Sequence, residues 1–98
     1  MATFVMLTRL SHEALKSPSS LQHLEREVKK RIEAECPDVR WIGNYAVLGP
    51  CDYLDIFEAR DNDEATKVAT IIRTFGHALT ETWCVTQWAQ FKEMISKF

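Results

Sequence analysis

The turn at residues 49–52 places a thiol directly before a carboxylate, a pairing that could support nucleophilic chemistry. The stretch is Gly49-Pro50-Cys51-Asp52. A nearby positive charge activates a cysteine, whereas an adjacent carboxylate disfavours the thiolate. We therefore interpret Cys51 as a turn thiol and Asp52 as an acceptor for turn amides. A reactive Cys51 would require a His or Lys partner folded in from elsewhere.

Two further acids, Asp55 and Glu81, lie in segments with strand composition. Alternation along a strand sends both toward the side that also carries aromatic rings. A carboxylate among such rings must find a partner or take up a proton, because burial disfavours its charge. Each acid is then either a general base or ligand anchor, or one partner of a hydrogen bond between subunits. We favour the structural role.

The three histidines, His12, His23 and His77, have no i,i+4 mate and no clustered acid. We therefore predict no metal site. His12 and His77 fall at strand–helix connections, where loops carry function, and they are candidate polar groups for a site. No Gly-rich phosphate loop, G-x-S-x-G elbow or H-E-x-x-H helix is present. These absences argue against nucleotide-dependent and hydrolase chemistry, and we predict no cofactor.

The elements that must position these groups follow from composition and periodicity. Strand-like segments span residues 3–10, 39–48, 52–59 and 78–86, with a hairpin turn at Gly49-Pro50. A helix is predicted between the capping signals at residues 17–20 and Pro37. A second follows the acids at residues 61–63 and ends at Gly76. Trp88, Phe91, Ile95 and Phe98 mark an amphipathic terminal helix.

This β-α-β-β-α-β order with a C-terminal helix predicts an α+β, ferredoxin-like fold. Two helices would cover one face of a four-stranded antiparallel sheet, with Leu54 and Ile56 on the helix side. Counting by twos gathers aromatic and acidic residues on the other, helix-free face. The candidate pocket or dimer face comprises Trp41, Tyr45, Tyr53, Asp55, Phe57, Glu81 and Trp83.

An aromatic patch of this size is seldom left in water. We expect it to be buried in a homodimer, and a ligand cavity between the two sheets is compatible with that arrangement. RNA stacking is disfavoured, because the chain has a formal net charge of −2 and lacks a K/R-G-F-x-F type strand with basic flanks. We therefore predict no nucleic-acid partner.

Length and composition limit the remaining possibilities for domain number, membrane contact and cellular location. Ninety-eight residues fit one domain, spanning 1–98. No apolar run approaches the roughly 18–20 residues of a membrane span, so we predict no membrane contact. Cys36, Cys51 and Cys84 are odd in number, far apart and without C-x-x-C spacing. Reduced thiols and a cytoplasmic location are the simplest interpretation.

The stretch "NYAVLGPCDYLDIFEARDNDEATKVATIIRTFGHALTETW" resembles the GYD domain family. The likeness covers nearly the whole chain and includes Leu48-Gly49, Asp52, Glu58-Ala59 and Thr80-Glu81-Thr82. Cys51 departs from it, because it stands where the family's Gly-x-Tyr-Asp turn carries Tyr. The resemblance implies a ferredoxin-like fold related to the dimeric α/β-barrel group and carries no established reaction.

Two function classes therefore stay open. The first is a homodimeric small-molecule-binding protein or cofactor-independent enzyme, with an aromatic-lined pocket at the sheet face for a small apolar or planar ligand. The alternative is a non-catalytic dimeric interaction or regulatory module whose aromatic face is filled by the partner subunit. The sequence does not decide whether the protein is an enzyme.

Overall fold

The computed structural model describes residues 1–98. It confirms the predicted ferredoxin-like α+β order with an added C-terminal helix. The four strands form one antiparallel sheet in the order β2-β3-β1-β4. The elements are β1 (Ala2–Leu10), α1 (Pro18–Glu35), β2 (Arg40–Ala46), β3 (Tyr53–Ala59), α2 (Asn62–Thr74), β4 (Ala78–Val85) and α3 (Trp88–Ile95).

Local capping explains where the first two helices begin. The Ser17 hydroxyl accepts a 3.2 Å hydrogen bond from the Ser20 amide at the start of α1. At the start of α2, Asp61 accepts from the Glu64 amide at 2.9 Å, and the Glu64 carboxylate accepts from the Arg60 amide at 2.9 Å. These reciprocal bonds resemble a capping box. The Asp61 side chain satisfies an amide that the helix leaves free, and the Glu64 side chain binds the amide of the residue before the cap.

The hydrophobic core lies between the sheet and the two long helices. Phe4 and Phe57 stack across β1 and β3 with ring centroids 5.6 Å apart. Ile32 and Cys36 reach this cluster from α1 and its C-terminal cap, and Val68 reaches it from α2. Since all are apolar and almost fully buried, the hydrophobic effect holds both helices against one face of the sheet.

The predicted face assignment of β3 is wrong. Phe57 is opposite Phe4 and completely buried beneath the helices, and Asp55 and Tyr53 share its side of the strand. Leu54 and Ile56 instead lie on the helix-free face. Alternation separates a strand into two sets of side chains, but it does not say which set the helices cover.

A bulge in β2 overturns a second part of the prediction, the shared face of Trp41 and Tyr45. Trp41 pairs with Phe57, whereas Tyr45 pairs with Leu54, and the register shifts between Trp41 and Gly43. The extra residue changes the parity of the strand. Trp41 therefore lies on the helix-covered face and packs against the core, with its ring centroid 5.3 Å from that of Phe57.

The helix-free side, here called the open face, is mainly aliphatic at its centre. Val5 on β1 is opposite both Ile56 on β3 and Trp83 on β4. Since directly paired residues share a face, the register also places Leu7, Leu54, Tyr45 and Glu81 there. Tyr45, Glu81 and Trp83 thus occupy the helix-free face for which they were predicted.

The C-terminal helix α3 lies outside the core and has no buried residue. Its apolar side chains are exposed, although Trp88 and Phe91 stack on each other with centroids 5.4 Å apart. None of the three helices combines the length and the apolar character that crossing a membrane demands.

Candidate functional site

Helix α1 contacts the core mainly through its C-terminal half. Ile32 is buried in the core cluster and Val28 packs against it, whereas Leu21 and Leu24 remain only partly buried. These two leucines line a space between α1 and the helix-covered face of the sheet. We call this space the α1 cleft.

The α1 cleft has a volume of about 540 Å³, and 11 of its 17 lining residues are hydrophobic. Its exposed lining residues form the mouth and include Glu25 and Lys29 on α1 and Asn44 and Ala46 on the edge strand β2. This volume falls within the range of roughly 300–1,000 Å³ that is typical of small-molecule sites.

Two carboxylates line the α1 cleft, and Asp55 is the one that lies on the sheet, whereas Glu25 lies on α1. The side-chain amide of Asn44 donates a 2.7 Å hydrogen bond from Nδ2 to Oδ1 of Asp55. Burial raises the pKa of Asp55, and the bond from Asn44 opposes part of that rise. Burial disfavours the carboxylate ion, whereas the donated hydrogen bond stabilises it. The ionisation of Asp55 is therefore set by two opposing features of the cleft, its burial and its bond from Asn44.

Aromatic side chains make up part of the cleft wall. Trp41 and Tyr53 line it on the same side of the sheet as Asp55. Burial, followed by the negative charge of Asp52, raises the pKa of the Tyr53 hydroxyl. Tyr53 consequently keeps its proton and offers a neutral hydroxyl beside an apolar wall.

The turn after β2 is tied to the end of β1 by Asp52. Its Oδ2 accepts a 2.7 Å hydrogen bond from the Leu10 amide, and its own amide donates to the Thr8 carbonyl at 2.8 Å. Its carbonyl accepts from the Val47 amide at 2.9 Å. Asp52 therefore joins β1 to the start of the turn at Val47. The predicted capping of turn amides by its carboxylate is corrected to a bond with the adjacent strand.

This fold and turn agree with the match to known sequences, in which the model of the GYD domain covers residues 4–95. The chain belongs to the GYD domain family. The Cys51 thiol is partly buried in the family's turn, next to an Asp52 whose carboxylate is already bound to the Leu10 amide.

The chain is also similar to a protein of Thermus thermophilus that is named "glutamine synthetase and cystathionine beta-lyase binding protein". The two are 30% identical over 81 residues, which cover 79% of this chain and 74% of the relative. The relative's name describes binding to two enzymes.

The two candidate histidines are placed differently in this GYD domain. His77 lines the α1 cleft, and its Nδ1 lies 3.5 Å from the Ser11 hydroxyl oxygen. His12 is exposed and does not line the cleft. No group of three His, Cys, Asp or Glu side chains is gathered in a way that could hold a metal ion.

Of the seven face candidates, the structure brings Trp41, Tyr53 and Asp55 to the α1 cleft, and Tyr45 borders it at the edge strand although the register places it on the open face. Phe57 belongs to the core, and Glu81 and Trp83 lie on the open face, where Trp83 Nε1 donates to Glu81 Oε1 at 3.2 Å. Asn44 was missed by the sequence reasoning. The glycine before it signals a bulge, and that was the available clue.

Proposed function

We propose that this GYD-domain protein is a homodimeric small-molecule-binding protein whose ligand occupies the α1 cleft. The single observation that carries the proposal is Asp55, a partly buried carboxylate in a largely apolar cavity of about 540 Å³. Apolar walls with a few placed polar groups are the usual composition of ligand sites. The aromatic-lined pocket is thus assigned to the helix side of the sheet.

The dimer in this proposal is supported by the surface that a single chain leaves in water. The open face presents Val5, Ile56 and a Trp83 that is 50% exposed. Extended apolar surfaces of this kind mark protein interfaces. Two open faces packed together would form the dimeric α/β barrel expected from the family resemblance, and both α1 clefts would stay outside it.

Binding is the part of the proposal that the geometry supports most directly. Asp55 is also placed to accept a proton from a bound molecule, because burial raises its pKa toward values suited to a general base. A cofactor-independent reaction would use the same residue, and the binding experiment precedes any test of catalysis.

The test combines native mass spectrometry of the purified protein with NMR titration. The spectrum should give a dimer, and mass retained beyond two chains would come from a bound ligand. We expect 2-phenylethanol, a small neutral aromatic probe, to shift backbone amide signals of residues lining the α1 cleft. Ala46→Trp, which places a large ring at a lining position, should weaken these shifts.

Ala34→Trp is the matched control, because Ala34 is exposed on α1 and does not line the cleft. It should leave the titration unchanged. A monomeric mass would contradict the dimer, and amide shifts confined to the open face would contradict the assignment of the cleft.

A second candidate function is a protein-binding module. It is favoured by the name of the Thermus thermophilus relative and by the exposed apolar side chains of α3. Sedimentation of this protein with purified glutamine synthetase and cystathionine beta-lyase from that organism tests it. Co-sedimentation that is lost when the chain ends at Thr86 would support the module, and separate sedimentation of all three proteins would contradict it.

A further inference from the structure

The charge of Asp55 bears on which ligands the α1 cleft accepts. We propose, resting on the function proposed above, that the cleft takes an organic cation, an amine or ammonium group attached to an apolar ring-sized body. The carboxylate would pair with the cation, while the apolar wall would cover the body of the ligand.

One oxygen of Asp55 is available for this pairing. Oδ1 is bonded to Asn44, whereas Oδ2 has no hydrogen-bond donor within the chain. The only buried side-chain oxygen or nitrogen left without a partner is Thr82 Oγ1. Oδ2 is therefore accessible rather than sealed in the protein. A positioned ammonium could donate a charge-assisted hydrogen bond to it.

The surroundings of Asp55 also suit a cation. Tyr53 and Trp41 line the cleft on the same side of the sheet as Asp55, whereas Phe57, the next same-face residue of β3, is completely buried in the core. The faces of aromatic rings attract ammonium groups, most strongly where water is excluded. A cation at Asp55 would thus meet negative potential from both the carboxylate and the rings.

The other charged groups lining the cleft are Glu25 and Lys29 on α1, both exposed at the mouth. Glu25 adds attraction for an entering cation. Lys29 is the one lysine or arginine in the lining, and water screens it at its exposed position. An anionic ligand would gain little from Lys29 and would be repelled by Asp55 deeper in the cleft.

The same arrangement sets the pH dependence of binding. Burial raises the pKa of Asp55, so its charge is lost at a higher pH than for an exposed aspartate. An aliphatic ammonium keeps its proton throughout that range. The affinity for a cation should therefore fall as the pH is lowered through the raised pKa. The other ionisable groups that line this space are Glu25 and Lys29 from α1, Tyr53 from β3 and His77 before β4, with Tyr45 at its β2 edge.

The experiment compares three probes that share a phenyl ring and differ in charge. They are the cation 2-phenylethylamine, the neutral 2-phenylethanol and the anion 3-phenylpropanoate. Affinities come from amide shifts of cleft residues during NMR titration of the intact protein. We expect the amine to bind at least about tenfold more tightly than the alcohol, since a charged hydrogen bond contributes about that factor. The carboxylate probe should bind most weakly.

Asp55→Asn keeps the shape of the side chain and should abolish the preference for the amine, whereas Glu81→Gln makes the same charge change on the open face and should preserve it. If Asp55→Asn does not fold, probe affinities measured as a function of pH give the same test. They are measured for the unmodified protein and for His77→Asn, which removes the histidine that lines the cleft. In both, the amine affinity should decline at low pH while the alcohol affinity stays constant.

The outcomes separate this inference from the function on which it rests. Equal or tighter binding of the alcohol or the carboxylate probe at the cleft would overturn the cation preference and leave the binding function in place. Cleft amides that respond to none of the three probes would overturn both.

Discussion

Asn44 and Asp55 lie opposite each other on β2 and β3 and are joined by a 2.7 Å hydrogen bond on the helix-covered side of the sheet. The bulge between Trp41 and Gly43 makes this pairing possible. With strict alternation from Trp41, position 44 would face the other side. One extra residue in an edge strand thus brings an amide to the carboxylate of the α1 cleft.

The first prediction concerns Asp55 and the pH dependence of stability. Folding raises the pKa of this acid above its ordinary value of 3.8, so the folded chain binds more protons between the two values. The free energy of unfolding therefore falls as the pH rises through that window. Asp55→Asn removes the cost of burying an ionised carboxylate and should raise the melting temperature at neutral pH.

Melting curves from about pH 4 to pH 8 check this expectation. The advantage of Asp55→Asn should shrink as the solution becomes more acidic, because the carboxylate of the folded chain takes up its proton at the raised pKa and loses its buried charge. Glu81→Gln is the matched control. Parallel melting profiles for Asp55→Asn and the unmodified protein would show that the burial of Asp55 carries no such cost.

The second prediction concerns the bond between Asp52 and the Leu10 amide. Asp52→Ala removes the acceptor and leaves that amide without its partner, which typically costs about 1–3 kcal/mol. We expect this loss in the free energy of unfolding, measured by urea denaturation, together with faster hydrogen exchange at the Leu10 amide. Asp52→Asn retains an acceptor oxygen and should lose less. A Leu10 amide that exchanges equally slowly in Asp52→Ala would contradict the assignment.

The third prediction separates two thiols. Cys51→Ser should change the free energy of unfolding by no more than about 0.5 kcal/mol, as is usual for substitutions away from the core. Cys36→Ser should cost about 1–3 kcal/mol, because Cys36 is buried in the core and the hydroxyl would lack water. Urea denaturation compares the two. If Cys51→Ser abolished a measured activity of a folded protein, Cys51 would be reactive after all.

The fourth prediction concerns Trp83 and the proposed dimer. Since Trp83 is 50% exposed in the single chain, Trp83→Ala should leave the fold intact and shift the monomer–dimer equilibrium toward monomer. Sedimentation equilibrium measures this shift. Leu48→Ala is the control, because Leu48 is fully exposed in the turn between β2 and β3. An unchanged dimer in Trp83→Ala would remove Trp83 from the interface.

Local signals in the sequence were sufficient to predict the elements of this fold. The Pro18 helix entry, the Asp61 cap, the Gly49-Pro50 turn and the apolar periodicities each act over a few residues. Capping, turn formation and amphipathic periodicity are local physical preferences. The order of elements, and with it the ferredoxin-like class, was therefore predictable.

The candidate site required the tertiary structure. Alternation divided β3 into two sets, but the packing of Phe57 against Phe4 and the helices decided that Asp55 faces inward. A bulge then placed Asn44 beside it. The space itself exists because α1 is anchored through Ile32 and Cys36, while Leu21 and Leu24 remain outside the core. Side-chain parity is a local property, whereas the covered face and the room beneath a helix depend on contacts between residues distant in the chain.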